Sequence, residues 1–198
     1  MWDERFAQPG YLFGKAPADF LTRHTAHFAP GLTGLAVADG EGRNSVFMAE
    51  HGVETTAMEL SPVAIAKAEA LAGERGVQVT HREADILTWD WAPEAYDLVV
   101  GIFIQFMPPA ERARVFAGMI RSVKPGGVIL LHGYTPKQLE FGTGGPRAVD
   151  NLYTEALLRE EFAGLELMEL TSYEAEIDEG PGHSGMSALI DMVARKPL

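Results

Sequence analysis

The stretch from Gly34 to Ser45, Gly-Leu-Ala-Val-Ala-Asp-Gly-Glu-Gly-Arg-Asn-Ser, constrains the fold of this chain more than any other. A short apolar run opens into a turn with glycines at 40 and 42 and then into helix-forming residues. In that order a doubly wound sheet brings backbone amides up against a nucleotide-like ligand. Glu59 ends the next expected strand, 59 − 42 = 17 residues beyond Gly42. The offset is close to the roughly 20 residues of the nucleotide-binding fingerprint, whose carboxylate accepts hydrogen bonds from a ribose hydroxyl pair. The pattern points to an adenosine-containing ligand.

Length and composition narrow the setting. At 198 residues and 46% apolar, the chain suits one domain and can bury a core without metal or disulfide staples. It has no cysteine, which rules out disulfides, cysteine-ligated zinc and a cysteine nucleophile, and leads us to expect a reducing, cytoplasmic home. The opening Met-Trp-Asp-Glu-Arg-Phe lacks the basic-then-apolar order of a signal peptide. No run approaches the roughly 18 apolar residues of a membrane span, so no membrane partner is expected. Lys plus Arg number 16 against 28 Asp plus Glu, a net charge of −12, and the basic residues are scattered. Such a surface repels a phosphate backbone, so nucleic acid is not an expected partner and small molecules are favoured. A monomer or homodimer is expected, with no metal site.

Period and punctuation predict strands near 33–38, 53–59, 77–82, 96–103 and 126–132, with helices near 43–50, 62–74 and 109–122. The alternation argues for a parallel α/β sheet. Ser61-Pro62 is a helix start, with serine capping and proline in the first turn, and Gly76 ends the run. Past Pro136 a Gly/Pro-rich loop at 141–146 precedes a short helix near 154–162 and strands near 165–176 and 186–195. Their turn-rich connection, Asp178 to Gly185, is short enough to join antiparallel neighbours. Residues 1–31, with Trp2, Phe6, Tyr11, Phe13 and Phe20, form an N-terminal segment in which Pro17 can start a helix.

The chain resembles the class I S-adenosylmethionine-dependent methyltransferases, and is similar within them to the tellurite-resistance and thiopurine methyltransferase-like group. The residues that carry the resemblance are Trp2 to Phe6, Glu41-Gly-Arg-Asn-Ser45, Glu59-Leu-Ser, Ala84-Asp-Ile86, Tyr96-Asp-Leu-Val-Val100, Lys124-Pro-Gly-Gly127 and Val193-Ala-Arg-Lys196. It implies a Rossmann-like, doubly wound α/β fold of seven strands, mostly parallel with the last antiparallel. The whole of 1–198 would be a single methyltransferase domain, with 1–31 a helical cap over the cofactor. The cofactor would be S-adenosyl-L-methionine. Its methionine part would lie over Asp39, Gly40 and Gly42 with Arg43 and Asn44 beside them, the ribose at Glu59 and Leu60, and the adenine at Asp85 and Ile86, with Gly101 a further contact. Family members usually carry an acidic residue two positions before the first glycine of the turn, and Ala36 and Ala38 stand at the matching positions here. Asp39 is expected to take over that carboxylate's work.

Methyl transfer from a sulfonium is an in-line displacement that requires alignment and dryness more than covalent help. An anionic acceptor such as a thiolate or a chalcogen oxyanion needs no strong base, whereas a hydroxyl or amine does. Amine and nucleobase methyltransferases often carry Asn/Asp-Pro-Pro-Tyr after the fourth strand; this chain has Gly101-Ile-Phe-Ile-Gln-Phe106. Without that clamp, Gln105 and Phe106 are expected to meet a small-molecule acceptor, most simply a thiol or a tellurium or selenium oxyanion. His183, in a glycine-rich turn, is the expected proton acceptor or anion-orienting donor, with Tyr11 also catalytic. Tyr134, Arg147 and Tyr153 are expected to roof the acceptor. A catalytically silent cofactor binder is an alternative, as are an NAD(P)-dependent oxidoreductase, disfavoured by Ser45 at the third glycine position, and an aminopropyl transferase, for which the acidic motif is lacking.

Overall fold

Capping chemistry places the helices where the punctuation predicted them. The computed structural model describes residues 2–198. Helices α1 (Trp2–Phe6) and α2 (Asp19–Arg23) precede β1 (Thr33–Val37), α3 (Arg43–Glu50), β2 (Glu54–Glu59), α4 (Pro62–Arg75) and β3 (Thr80–Glu83). Then come β4 (Tyr96–Ile102), α5 (Pro109–Ser122), β5 (Val123–Tyr134), α6 (Gln138–Phe141), α7 (Glu155–Glu161), β6 (Glu166–Asp178) and β7 (Ser184–Arg195). At α4 the Ser61 hydroxyl accepts from the Ala64 N–H at 3.2 Å, and Gly76 closes the helix in a left-handed conformation at φ 68°. A serine cap of this kind is worth about 1 kcal/mol over alanine.

The strands form one seven-stranded sheet in the order β3-β2-β1-β4-β5-β7-β6. Pairings within β1–β3 and of β4 with β5 are parallel, while β7 runs antiparallel to both β5 and β6, as the sequence led us to expect. The backbone groups into two compact units, Met1–Trp89 with Glu179–Gly182, and Asp90–Asp178 with His183–Leu198.

In the first unit β1 and β2 bury Leu35, Val37, Ala57 and Met58 on their two faces, and Leu71 of α4 packs with Val46 of α3 and Ala72. Full burial of a leucine such as Leu71 contributes about 1.5–3 kcal/mol. In the second, Val99, Ile129, Leu130, Ile190 and Met192 of β4, β5 and β7 are fully buried. Tyr134, Leu152, Ile177 and Leu189 form a further cluster against which Phe103 and Tyr173 pack.

Within the expected N-terminal helical segment residues 2–6 form α1, and two local expectations change. The strand expected near 126–132 starts earlier: β5 runs from 123 to 134 and takes in Lys124 and Pro125. The cause is pairing at a distance: Gly126 N donates to Lys196 O at 2.8 Å and Lys196 N to Gly127 O at 2.9 Å. His24 and His27, whose spacing of three would suit one face of a helix, fall at the end of α2 and in a 3-10 turn, where their rings stack 6.3 Å apart. Among the described residues no helix is long and apolar enough to cross a membrane.

Candidate functional site

The turn after β1 and the tip of β2 are locked together by one carboxylate. Glu59 accepts from the N–H of Gly40 at 2.9 Å through one oxygen and from that of Ser61 at 2.9 Å through the other. Gly40 and Gly42 take φ of 62° and 90°, the left-handed region where glycine costs least. At Gly42 a Cβ would lie 2.6 Å from the Ala68 Cβ, so this glycine also lets α3 approach α4. Ala38, at the place of the family's usual first glycine, takes φ 47° despite its side chain. That is local strain, held by the surrounding bonds.

Asp39 faces the first turn of α3. Its carboxylate accepts from the Ser45 N–H at 3.1 Å and from the Ser45 hydroxyl, the service an N-cap side chain gives to orphan amides. Burial pushes the Asp39 carboxyl up to about 7; the Ser45 bonds oppose this and the nearby Glu59 charge adds to it.

Arg43 and Asn44, expected as cofactor contacts, tie down the N-terminal segment. The buried Arg43 guanidinium donates to Glu179 at 2.7 Å and lies 3.5 Å from the Ala16 carbonyl, while the Asn44 side chain accepts from the Ala18 N–H at 3.0 Å. Glu179 also accepts from the Asp19 N–H at 3.1 Å. Glu41 accepts from the Leu12 N–H at 2.6 Å and pairs with Lys67 at 2.8 Å. Tyr11 donates its hydroxyl to the Lys67 carbonyl at 3.0 Å and packs on the Val46–Leu71–Ala72 cluster. The Asp3 carboxylate accepts from the Ser61 hydroxyl, and the Phe6 ring lies 3.6 Å from where a Gly40 Cβ would stand. Residues 2–19 therefore lie directly on the glycine turn.

Beyond Glu59, Leu60 is 56% exposed, an apolar side chain beside a fixed carboxylate. Ala84 N donates to Glu59 O at 2.9 Å, which brings Asp85 next to this pair. Asp85 accepts from the Leu87 N–H at 2.9 Å in a turn, with Ile86 buried and Leu87 exposed.

The remaining candidates belong to the second unit. Gln105 is buried and uses both ends of its amide on one neighbour: Nε2 donates to the Tyr134 carbonyl at 2.8 Å and Oε1 accepts from the Tyr134 N–H at 2.7 Å. Gly101 packs against Ile104, Leu131 and Met119, the nearest 2.9 Å from where its Cβ would be. Tyr153 is wholly buried against Phe116, and burial raises the pKa of its phenol. Arg147 is exposed, and Phe106 is 43% exposed. His183 and Tyr134 are brought together around Phe103, whose ring centroid is 4.1 Å from that of His183 and 4.6 Å from that of Tyr134.

Sequence reasoning missed Glu41 and Glu179, the anchors of the N-terminal segment, and the buried pair of His132 and Asp191. A single polar residue inside each of two apolar strands, Ile129-Leu-Leu-His132 and Leu189-Ile-Asp-Met192, was the available signal.

Residues 35–127 match the family described as a methyltransferase domain. With the strand order above, the chain has the Rossmann-like fold of the class I methyltransferases, and residues 35–127 are similar to their domain. An uncharacterized protein of Mycobacterium tuberculosis is 27% identical over 121 residues, 61% of this chain and 43% of that protein. The chain thus spans less than half the length of the curated relatives that it matches first. Among solved structures, one described as the conversion of a disulfide bond into a thioacetal group during echinomycin biosynthesis superposes with a TM-score of 0.78 at 17% identity, covering 98% of this chain and 86% of its own. TehB from Haemophilus influenzae gives a TM-score of 0.70 at 20% identity, covering 90% of this chain and 61% of its own. These two likenesses establish the fold.

The first unit fits the cofactor that the fold implies. It offers a carboxylate fixed in place for a hydroxyl pair, an exposed apolar side chain next to it, a second carboxylate one strand over, and a turn kept open by glycines at 40 and 42.

Proposed function

We propose that this chain transfers a methyl group from S-adenosylmethionine to a small-molecule acceptor, a thiol or an oxyanion of tellurium or selenium, in a reducing cytoplasm. The observation that carries the reading is the Glu59 carboxylate, held by Gly40 and Ser61 beside exposed Leu60. Glu59 would take the ribose hydroxyls, Asp85 the adenine amino group with Leu60 and Ile86 against the ring, and the turn at 38–42 the methionine part. Residues 2–19 would cap it. When bound, the cofactor supplies a methyl group made electrophilic by its sulfonium charge. The side chains contribute alignment and the exclusion of water, on which an in-line displacement depends.

The segment after β4 supports the acceptor class. No polar clamp for an amino nitrogen is present in Gly101 to Phe106, and the one amide there, Gln105, is occupied by the Tyr134 backbone. Such surroundings favour a soft or already anionic acceptor, which requires no clamp. The likeness to the tellurite-resistance group points the same way, and the fold neighbour described by a disulfide-to-thioacetal conversion is linked to chemistry at sulfur.

The test is incubation with S-adenosylmethionine and a panel of thiols, selenite, tellurite, amines and phenols, read by mass spectrometry. Methylated thiol or chalcogen products are expected. Transfer confined to amines or phenols would refute the acceptor class, and cofactor binding with no transfer at all would favour a catalytically silent binder.

A further inference from the structure

The end of a ligand that carries an amino acid has two charges, an ammonium and a carboxylate. Each is stabilised out of water only where the protein supplies an opposite charge or a backbone amide that is not already engaged. Around the glycine turn such groups are engaged by the protein itself. Arg43 pairs with Glu179 at 2.7 Å, both side chains nearly buried. Lys67 pairs with Glu41 at 2.8 Å and donates to the carbonyls of Gln8 and Gly10 at 2.9 and 2.7 Å. The other Glu41 oxygen accepts from the Leu12 N–H at 2.6 Å. Asp39 gives one oxygen to the Ser45 N–H and the other to the Ser45 hydroxyl.

The start of α3, whose amides and dipole would otherwise receive a ligand's carboxylate, is thus already filled by Asp39. Burial lifts the Asp39 carboxyl to about 7, which makes it a poor counter-charge near neutrality. Over the turn, the Phe6 ring lies 3.6 Å from where a Gly40 Cβ would stand. Ribose hydroxyls make a lighter demand than an ammonium. They are neutral, and a carboxylate that holds two amides, as Glu59 does, keeps acceptor sites for them.

We propose that the cofactor site selects the nucleoside and is nearly indifferent to the amino-acid end, so that it takes neutral adenosine 5′-thioethers as a second class of ligand. The inference rests on the methyltransferase reading above and deepens it. Glu59, Leu60 and Asp85 supply the selectivity, and Asp39 acts as a positioning residue for the turn and α3 rather than as the partner of an ammonium. A thioether nucleoside keeps the nucleoside contacts and lacks only charges that would have stayed in water. The demethylated cofactor, S-adenosylhomocysteine, is zwitterionic at its amino-acid end. Its net charge therefore equals that of a neutral thioether, and the field of a chain of net charge −12 acts alike on both.

Calorimetric titration of the wild-type chain near neutral pH with S-adenosylhomocysteine and with 5′-methylthioadenosine compares the two directly. Dissociation constants within about tenfold of one another are expected, because hydrogen bonds to a held charge would separate them by roughly ten- to a hundredfold. A preference for S-adenosylhomocysteine beyond about tenfold overturns this inference and leaves the nucleoside cradle standing. Binding of neither ligand overturns the cradle, and the methyltransferase reading with it. Asp39→Asn gives a second readout, since a role confined to the shape of the turn changes both affinities by the same factor. A loss confined to S-adenosylhomocysteine would make Asp39 a partner of the amino-acid end and overturn the proposal. Should that variant not fold, Glu59→Gln serves in its place: it is expected to weaken both ligands equally, and a loss for S-adenosylhomocysteine alone overturns the selection of the nucleoside.

Discussion

Glu59 holds the N–H of Gly40 at 2.9 Å, so the tip of β2 sets the shape of the turn after β1. The sequence separates the two by 19 positions, and the parallel register of β1 and β2 brings them together. A carboxylate pinned in this way is presented to a ligand without reorganisation. Glu59→Gln removes its charge and one of its two backbone acceptors. Cofactor affinity is expected to fall by about 1.5–3 kcal/mol, roughly ten- to a hundred-fold, as for other hydrogen bonds to charged groups. Calorimetry reads this directly.

Ala38 bears the strain of the same turn. With φ at 47°, it occupies a backbone region that glycine enters freely. Ala38→Gly is expected to stabilise the chain by about 0.5–1 kcal/mol, a net of relieved strain over the greater freedom of glycine when unfolded. Urea denaturation measures it, and a destabilised variant would show that the alanine methyl contributes packing instead.

Asp39 predicts how stability responds to pH. Burial lifts its carboxyl to about 7, while the unfolded chain titrates near the ordinary value of about 4. The folded chain therefore holds a proton that the unfolded chain has released, and stability falls as pH rises from about 4 through about 7. The facing groups are Ser45, Glu59 and Arg43. Asp39→Asn, which keeps the bonds to Ser45 without the charge, should flatten that slope in denaturation series across the window. An unchanged slope would assign it elsewhere.

The N-terminal segment depends on the ion pair of Arg43 and Glu179, both nearly buried at 2.7 Å. Glu179→Ala leaves the guanidinium buried without its counter-charge, a loss of about 3–5 kcal/mol in comparable pairs. Hydrogen exchange should accelerate at residues 12–19. In the intact chain, added cofactor should slow exchange in residues 2–19 if they form a cap, and unchanged protection there would count against one.

The range of each interaction decided how much of the fold and site was legible in the sequence. β1 to β5 and the long helices α4 and α5 were readable because period, Ser61 and Gly76 are local signals. The tip of β2 was readable because its carboxylate sits at a recognisable offset from a glycine turn. Arg43 and Asn44 were readable as polar residues at a helix start, but their partners are distant in sequence; Glu179 lies 136 positions from Arg43. The early start of β5, before the expected 126, is not legible locally, because its pairing partner Lys196 is distant in sequence. His132 and Asp191 are 59 positions apart, and only the register of β5 with β7 sets them face to face. Gln105 shows the same limit: its amide is free in the sequence and taken in the fold.

Calorimetric titration of the wild-type chain with S-adenosylhomocysteine, the demethylated cofactor, tests the cradle most directly. Saturable binding to one site is expected, competing with S-adenosylmethionine and weakened in Glu59→Gln. No heat at millimolar ligand, or binding indifferent to Glu59, would contradict it.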